Sequence, residues 1–319
     1  MKAVSIARCA ELRPDEVGAA VTEAVAALGG MERFVQPGNR VLLKPNLLSP
    51  DPPERAVTTH PLFVQWVIEL VLAAGGKPFL GDSPAWGALS QVAQVAGLKD
   101  VAARYGVPLV EFCRPVAVPS PRPQVARRVL VDAAVLEAEV VINLPKLKAH
   151  RQLGFCGAVK NLYGCLPGKR KALLHFLKSR RDLHFALFLA NYHAAVAPAL
   201  TIVDAGLALE RTGPRGGDPR FLGLVVAGTD CAAVDTVLAE IIQAPPSHRL
   251  LLEAVRQLDL GVTDLEAIEL RGEPLEAIRP DRFLLPDLIG VGFSLPRVVR
   301  SVVRNFFLTR APRLRRRRR

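Results

Sequence analysis

Short runs of aliphatic and β-branched residues alternate with helical segments along this chain, and that alternation constrains its fold more than any other feature. KAVSIAR (2–8) precedes a helical stretch at 14–28, with Pro14 near its first turn and Gly29-Gly30 at its stop. RVLLK (40–44), a helix at 61–74, KPFLGD (77–82), a helical region at 87–105 and VPLVEF (107–112) follow. After a Pro-rich excursion at 114–124 come VARRVLV (125–131) and the continuous apolar run EVVINL (139–144), and residues 151–196 read mostly as helices. LTIVDA (200–205), FLGLVVAG (221–228), helices at 230–242 and 247–257 and a strand near AIELRG (267–272) complete the pattern. Strands and helices in alternation build a parallel sheet covered on both faces. The expected class is therefore α/β: a mainly parallel sheet flanked by helices, with room for two lobes divided near 145–200 and a cleft at the strand carboxyl ends.

Ligands of open parallel sheets bind beyond those carboxyl ends. The chemically capable residues fall there. RVLLK runs into Lys44-Pro45-Asn46, with Thr58-Thr59-His60-Pro61 at the next helix start, and KPFLGD ends in Asp82-Ser83-Pro84. EVVINL runs into Asn143-Leu144-Pro145-Lys146-Leu147-Lys148-Ala149-His150; LTIVDA carries Asp204; FLGLVVAG leads to Thr229-Asp230, with Asp235 in the helix beyond. Taken singly, most of these have ordinary explanations. Asp82 and Asp230 suit helix N-caps, and His60 before Pro61 suits a turn. The segment PKLKAHRQLGFCGAVKNLYG (145–164) is less ordinary, because Lys146, Lys148, His150, Arg151 and Lys160 crowd around a helix start at Gly157, an arrangement able to cradle phosphate or carboxylate. The expected site uses Lys44, Asn46, Lys146, Lys148, Lys160, Asn161, Asp204 and Asp235 for ligand binding. His60, Asp82, His150 and Asp230 are its candidates for acid–base catalysis.

The order KPN, THP, GDSP, INLPKLKAH, GAVKNLYG, IVDAGLALERTGPRGG and AGTDCAAVD resembles the domain-of-unknown-function 362 family from about residue 2 to 272. INLPKLKAH to GAVKNLYG is its most distinctive block. The resemblance implies that Lys44, Asn46, His60, Asp82, Lys146, Lys148, His150, Lys160, Asn161, Asp204, Asp230 and Asp235 are the family's characteristic polar positions, and it supplies no reaction. Longer relatives carry a ferredoxin-like Cys-rich module at the C-terminus. This chain has Arg310-Ala311-Pro312 and a run of arginines there instead, without the four-cysteine spacing of a cubane cluster.

The cofactor is left unknown. Imidazole and carboxylate at His60, Asp82, His150, Asp204, Asp230 and Asp235 would suit a divalent metal, although no local HxxxH, HExxH or DxD pattern ties two of them together. A redox-associated protein using Cys156 or Cys165 is an alternative, with buried inert thiols the simpler reading. Residues 213–219, GPRGGDP, match neither a dinucleotide nor a P-loop fingerprint and suit a surface turn or a loop covering the site, with Glu210 and Arg211 beside it. His175, His184, Asn191 and His193 fall in the helical region and read as core or subunit-contact residues.

Charge divides the chain. Of 42 Lys and Arg residues, ten arginines lie in 288–319 with no acid, leaving 32 against 30 acids in 1–287. The expected organisation is an α/β domain at 1–287 and a basic tail at 288–319. In residues 295–308, Arg297, Arg300 and Arg304 face opposite Val298, Val299, Val302, Val303, Phe306 and Phe307, the pattern of a basic amphipathic helix. Such a helix docks on its own domain or on an anionic membrane surface. The near-neutral body and sparse aromatics argue against nucleic acid. Five cysteines at irregular spacing and a weakly apolar N-terminus give an expected cytoplasmic location, peripheral at the inner membrane face if the tail docks there. The partners expected are a small anionic ligand and that membrane surface; oligomeric state is open. Residues 183–203 hold no Asp, Glu, Lys or Arg, but His184, Asn191, Tyr192, His193 and Pro198 favour a buried helix and strand over a membrane span.

Overall fold

The computed structural model describes residues 1–168, 170, 171, 174 and 182–290. His175 and the basic segment at 295–319 lie outside these residues. Elements follow in the order β1 (Lys2–Arg8), α1 (Pro14–Ala26), β2 (Arg40–Pro45), α2 (Pro61–Ala73), β3 (Lys77–Asp82), α3 (Leu89–Val95), α4 (Leu98–Arg104) and β4 (Leu109–Glu111). Then come β5 (Pro115–Pro119), β6 (Arg128–Asp132), α5 (Ala133–Leu136), β7 (Val140–Leu144), β8 (Lys146–His150), β9 (Gly154–Cys156) and α6 (Ala158–Asn161). The remainder is α7 (Asp182–Val196), β10 (Leu200–Glu210), β11 (Asp218–Gly228), α8 (Cys231–Ile241), α9 (Leu250–Leu258), β12 (Ile268–Gly272) and α10 (Leu275–Ile278).

The main sheet runs β12-β1-β11-β10-β7-β2-β3-β4, and β8 and β9 branch from it through β10. Neighbours are parallel along β10, β7, β2, β3 and β4, so the α/β class holds. Alternate residues of each strand point to opposite faces. Val41 and Leu43 pack with α1, α2, α3 and α4, whereas Leu42 packs in the layer of α6, α7, α8 and α9. Every residue of β7 is buried, as a central parallel strand covered on both sides requires. The charge-free stretch divides between α7 and the start of β10, and among the described residues no helix is long and apolar enough to cross a membrane.

Two departures from the sequence pattern shape the site. Strand β11 is antiparallel to both β1 and β10, so Gly228 at its carboxyl end pairs with Val4 and Thr201, near the amino ends of those strands. A single sequence marks strands but not their direction, and the long β10–β11 hairpin reverses the chain within the sheet. Second, the basic block opens with a strand rather than a loop: β8 continues β7 across Pro145, pairs in parallel with β10 and turns back into β9. All five residues of β8 are buried.

Candidate functional site

Because β8 lies inside the molecule, its lysines cannot remain solvated. Lys146 and Asp204 are direct partners across β8 and β10, and Lys146 Nζ reaches Asp204 Oδ2 at 2.8 Å with both side chains out of water. Asp204 Oδ2 also accepts the His60 backbone N–H at 2.7 Å, which fixes the start of α2. His60 caps that helix, its Nδ1 accepting the Leu62 N–H, so its second ring nitrogen carries the proton of the neutral imidazole. Burial holds His60 below its ordinary pKa against the opposing pull of Asp204. Lys44, fully buried at the end of β2, stands 3.1 Å from Asp82 Oδ1 at the end of β3 and donates to the Pro45 carbonyl oxygen at 2.7 Å. The second oxygen of Asp82 accepts the Leu47 N–H at 2.9 Å.

Lys148 is bound differently. Its amine donates to Asn46 Oδ1 at 2.6 Å and to the Val57 carbonyl oxygen at 2.8 Å, and no carboxylate lies within ion-pair distance among the described residues. Burial lowers its pKa to about 7. Lys146 is also held below the usual lysine range by burial, with Asp204 acting the other way.

A chain of amides runs from the Lys148 amine to the backbone of Lys44. Asn46 Nδ2 donates to Asn161 Oδ1 at 3.0 Å, while Asn161 Nδ2 donates to Asn143 Oδ1 at 2.8 Å and to the Lys44 carbonyl at 3.1 Å. Asn143 Nδ2 donates to the Ala158 carbonyl at 3.0 Å. Helix α6 therefore sits where the sheet's amides can reach it, and two glycines permit that approach. A Cβ on Gly164 would lie 2.4 Å from Asp82 Oδ1 and 2.6 Å from Lys44 Nζ; one on Gly157 would lie 2.0 Å from Asp235 Oδ1. The spacing of GAVKNLYG thus reflects a close approach of backbone to buried charge.

Lys44, Asn46, His60, Asp82, Lys146, Lys148, Asn161 and Asp204 come together in this network. The other candidates sit elsewhere or serve differently. Asp235 accepts the Ala158 and Val159 N–H groups at 2.5 and 3.0 Å, capping α6 from beneath, and burial raises its pKa to about 7. Asp230 caps α8 through Ala232 and Ala233 and accepts the Val262 N–H. It follows the carboxyl end of the reversed strand β11 and bonds to none of the network's lysines among the described residues. His150 closes β8 and accepts the Gln152 N–H through Nδ1. Lys160, half-buried on α6, has no ion-pair partner among the described residues.

The family model described as Domain of unknown function (DUF362) matches residues 41–240, the span that contains this network. The chain belongs to the DUF362 family. It is similar to a thylakoid-associated protein of Synechocystis sp., 39% identical over 310 residues, 97% of this chain and 95% of that protein. Among solved structures it is similar to the lactate racemase apoprotein of Thermoanaerobacterium thermosaccharolyticum, at a TM-score of 0.42 and 12% identity, over 65% of this chain and 51% of that one.

Three members of the DUF362 network fall outside the expected set of site residues. Asn143 is inward-facing within an apolar strand, and Thr59 Oγ1 accepts the Asn46 N–H and donates to the Leu144 carbonyl, tying loop to strand. Lys171 donates to the Ser83 carbonyl oxygen from a segment remote in sequence. A polar residue inside an otherwise unbroken apolar run is the one hint that could have found Asn143.

The network is covered. Arg215 grips Asp51 through Nε and Nη2 at 3.1 and 3.0 Å, joining the GPRGG loop to residues 49–51, and Ala56, Val57 and Leu209 pack together beneath. A void of about 10 Å³ beside His60, Asp204 and Cys9 has room for one water. Among the described residues no group of three or more His, Cys, Asp or Glu is placed to hold a metal ion. Cys156 is buried on β9 opposite Lys148, and burial pushes the Cys165 thiol up to about 12. His193 and Asn191 are buried in α7, where Asn191 anchors the Pro-rich excursion through Ser120 and the Arg122 N–H, and His184 is exposed.

Proposed function

We propose that this DUF362 protein binds a small phosphate- or carboxylate-bearing molecule at the carboxyl ends of β2, β7 and β8 and acts on it there as an enzyme. One observation carries the reading: Lys44 and Lys146 pair with Asp82 and Asp204, while the neighbouring amines of Lys148 and Lys171 rest on neutral oxygens, so basic groups outnumber acids where water is scarce. Uncompensated buried charge costs several kcal/mol. An anion held by this surplus of amines supplies the missing partner. His60, neutral and adjacent to Asp204, is the proton carrier closest to that network. Entry requires the Arg215–Asp51 contact to open.

Thermal shift across phosphorylated and carboxylated metabolites tests this on wild type, Lys148→Met and Lys77→Ala, the last an exposed lysine at the amino end of β3. A shift kept in Lys77→Ala and lost in Lys148→Met is expected. Equal responses in all three would overturn it.

We propose further that residues 295–319 hold the protein on an anionic membrane surface. Support comes from their sequence, which holds ten arginines and no acid beside a periodic set of Val and Phe, and from a relative described as thylakoid-associated. Co-sedimentation with vesicles of anionic lipid, with and without these residues, is the test; equal pelleting rejects it.

A further inference from the structure

We infer that Lys148 captures a carbonyl: the anionic ligand carries an aldehyde or ketone, and Lys148 Nζ condenses with it to an imine. This rests on the anion-site reading above and narrows it to a substrate class. The argument begins with hydrogen-bond counting. An ammonium has three N–H donors, and a neutral amine has two and a lone pair. Lys148 has two acceptors, Asn46 Oδ1 at 2.6 Å and the Val57 carbonyl at 2.8 Å, the number a neutral amine satisfies. Lys146 and Lys44 differ, since each holds a carboxylate that favours the charged form.

The surroundings agree. Lys148 is opposed by Lys146 on β8 and Lys160 on α6, both disfavouring its charge, with Asp82 on β3 and Cys156 on β9 acting the other way, and burial outweighs them all. A buried lysine whose charge is disfavoured is the usual nucleophile of Schiff-base chemistry. One residue beyond Val57, the Thr58 hydroxyl is buried and is the sole buried side-chain N or O atom without a hydrogen-bond partner among the described residues. An incoming carbonyl oxygen would give it one.

The step balances without an oxidant or reductant. The Lys148 lone pair forms a C–N bond to the carbonyl carbon as the C=O π pair moves to oxygen. A proton passes from nitrogen to that oxygen, giving a carbinolamine; its hydroxyl then leaves with the remaining N–H proton as water while the nitrogen electron pair forms the C=N bond of the imine.

The full chain would be incubated with glyoxylate, reduced with borohydride and examined by intact mass and peptide mapping. Glycolate, which has the same carboxylate and no carbonyl, serves as the binding control in thermal shift. A single reduced adduct on Lys148 is expected, absent from Lys148→Arg, which keeps the cation, and retained in Lys77→Ala. Modification of surface lysines with Lys148 untouched overturns the inference, and mapping of the wild type gives that answer even if the variant fails to fold. If glycolate and glyoxylate both shift melting and no Lys148 adduct forms, the carbonyl assignment falls and the anion site stands. If neither shifts melting nor forms the adduct, both fall.

Discussion

Lys146 and Asp204 are registered partners on parallel strands, and their side chains meet at 2.8 Å out of contact with water. The same Asp204 oxygen fixes the His60 N–H. One carboxylate thus determines the position of β8, of the start of α2 and of the imidazole between them. Removing either partner leaves a charge buried and alone, which costs about 3–5 kcal/mol. Urea denaturation of Lys146→Met and of Asp204→Leu should each show a loss of that size, and the double variant should recover much of it. Additive losses would mean that the pair is not coupled.

Lys148 should behave in the opposite sense. Its amine has no acid partner, so Lys148→Met replaces an awkward polar group by an apolar one of similar length and should leave stability unchanged or raised at pH 7. The pH dependence follows from linkage. The folded pKa is about 7, below the unfolded value, so between pH 7 and about 10 the unfolded chain binds more protons and stability rises with pH. Below pH 7 both states are protonated and the contribution is level. Comparing denaturation midpoints of wild type and Lys148→Met from pH 6 to 10 should remove that rise.

Asp235 gives a slope of the reverse sign in a lower window. Its folded pKa is raised from 3.8 to about 7, so between those values the folded state holds the extra proton and stability falls as pH rises. Asp235→Asn keeps an acceptor for the Ala158 and Val159 N–H groups and should abolish the slope. Asp235→Ala removes the cap and should cost about 1–2 kcal/mol at pH 5, read by chemical denaturation.

Asp230 separates stability from ligand response. Asp230→Ala should lower stability by about 1–2 kcal/mol through loss of the α8 cap. Any anion-induced melting shift should persist, because Asp230 bonds to none of the network's lysines among the described residues.

The Arg215–Asp51 contact should govern access. Partly exposed ion pairs contribute up to about 1 kcal/mol, so Arg215→Ala should raise the opening rate or population of the cover by roughly fivefold. Hydrogen exchange at residues 48–57 and 211–217 would report it, with the amides of α8 unaffected.

The fold was legible wherever hydrophobic period and punctuation agreed: Pro14 opens α1, Pro61 opens α2, and KPFLGD is strand β3 from end to end. Direction was not legible, since FLGLVVAG reads the same whichever way it runs. The lysines of KLKAH were legible as an anion-binding block but not as buried ion-pair partners, because periodicity registers hydrophobicity and not pairing, and Asp82 and Asp204 are remote in sequence. The cap at Asp230 was readable from local spacing alone, as capping depends on the adjoining turn, whereas His60, expected in a turn, caps α2, and Asp82, expected as a cap, pairs with Lys44.

The reversal of β11 also orders events in time. Strand β1 pairs with β11 and β12 alone, Val4 with Gly228 and Lys2 with Ile268. Strand β1 therefore waits until more than two hundred further residues have been made before its edges are matched, and such distant pairing is slow to form. A chain cut short within α8 would contain all four lysines of the network yet lack β12, leaving one edge of β1 open to strands of other molecules.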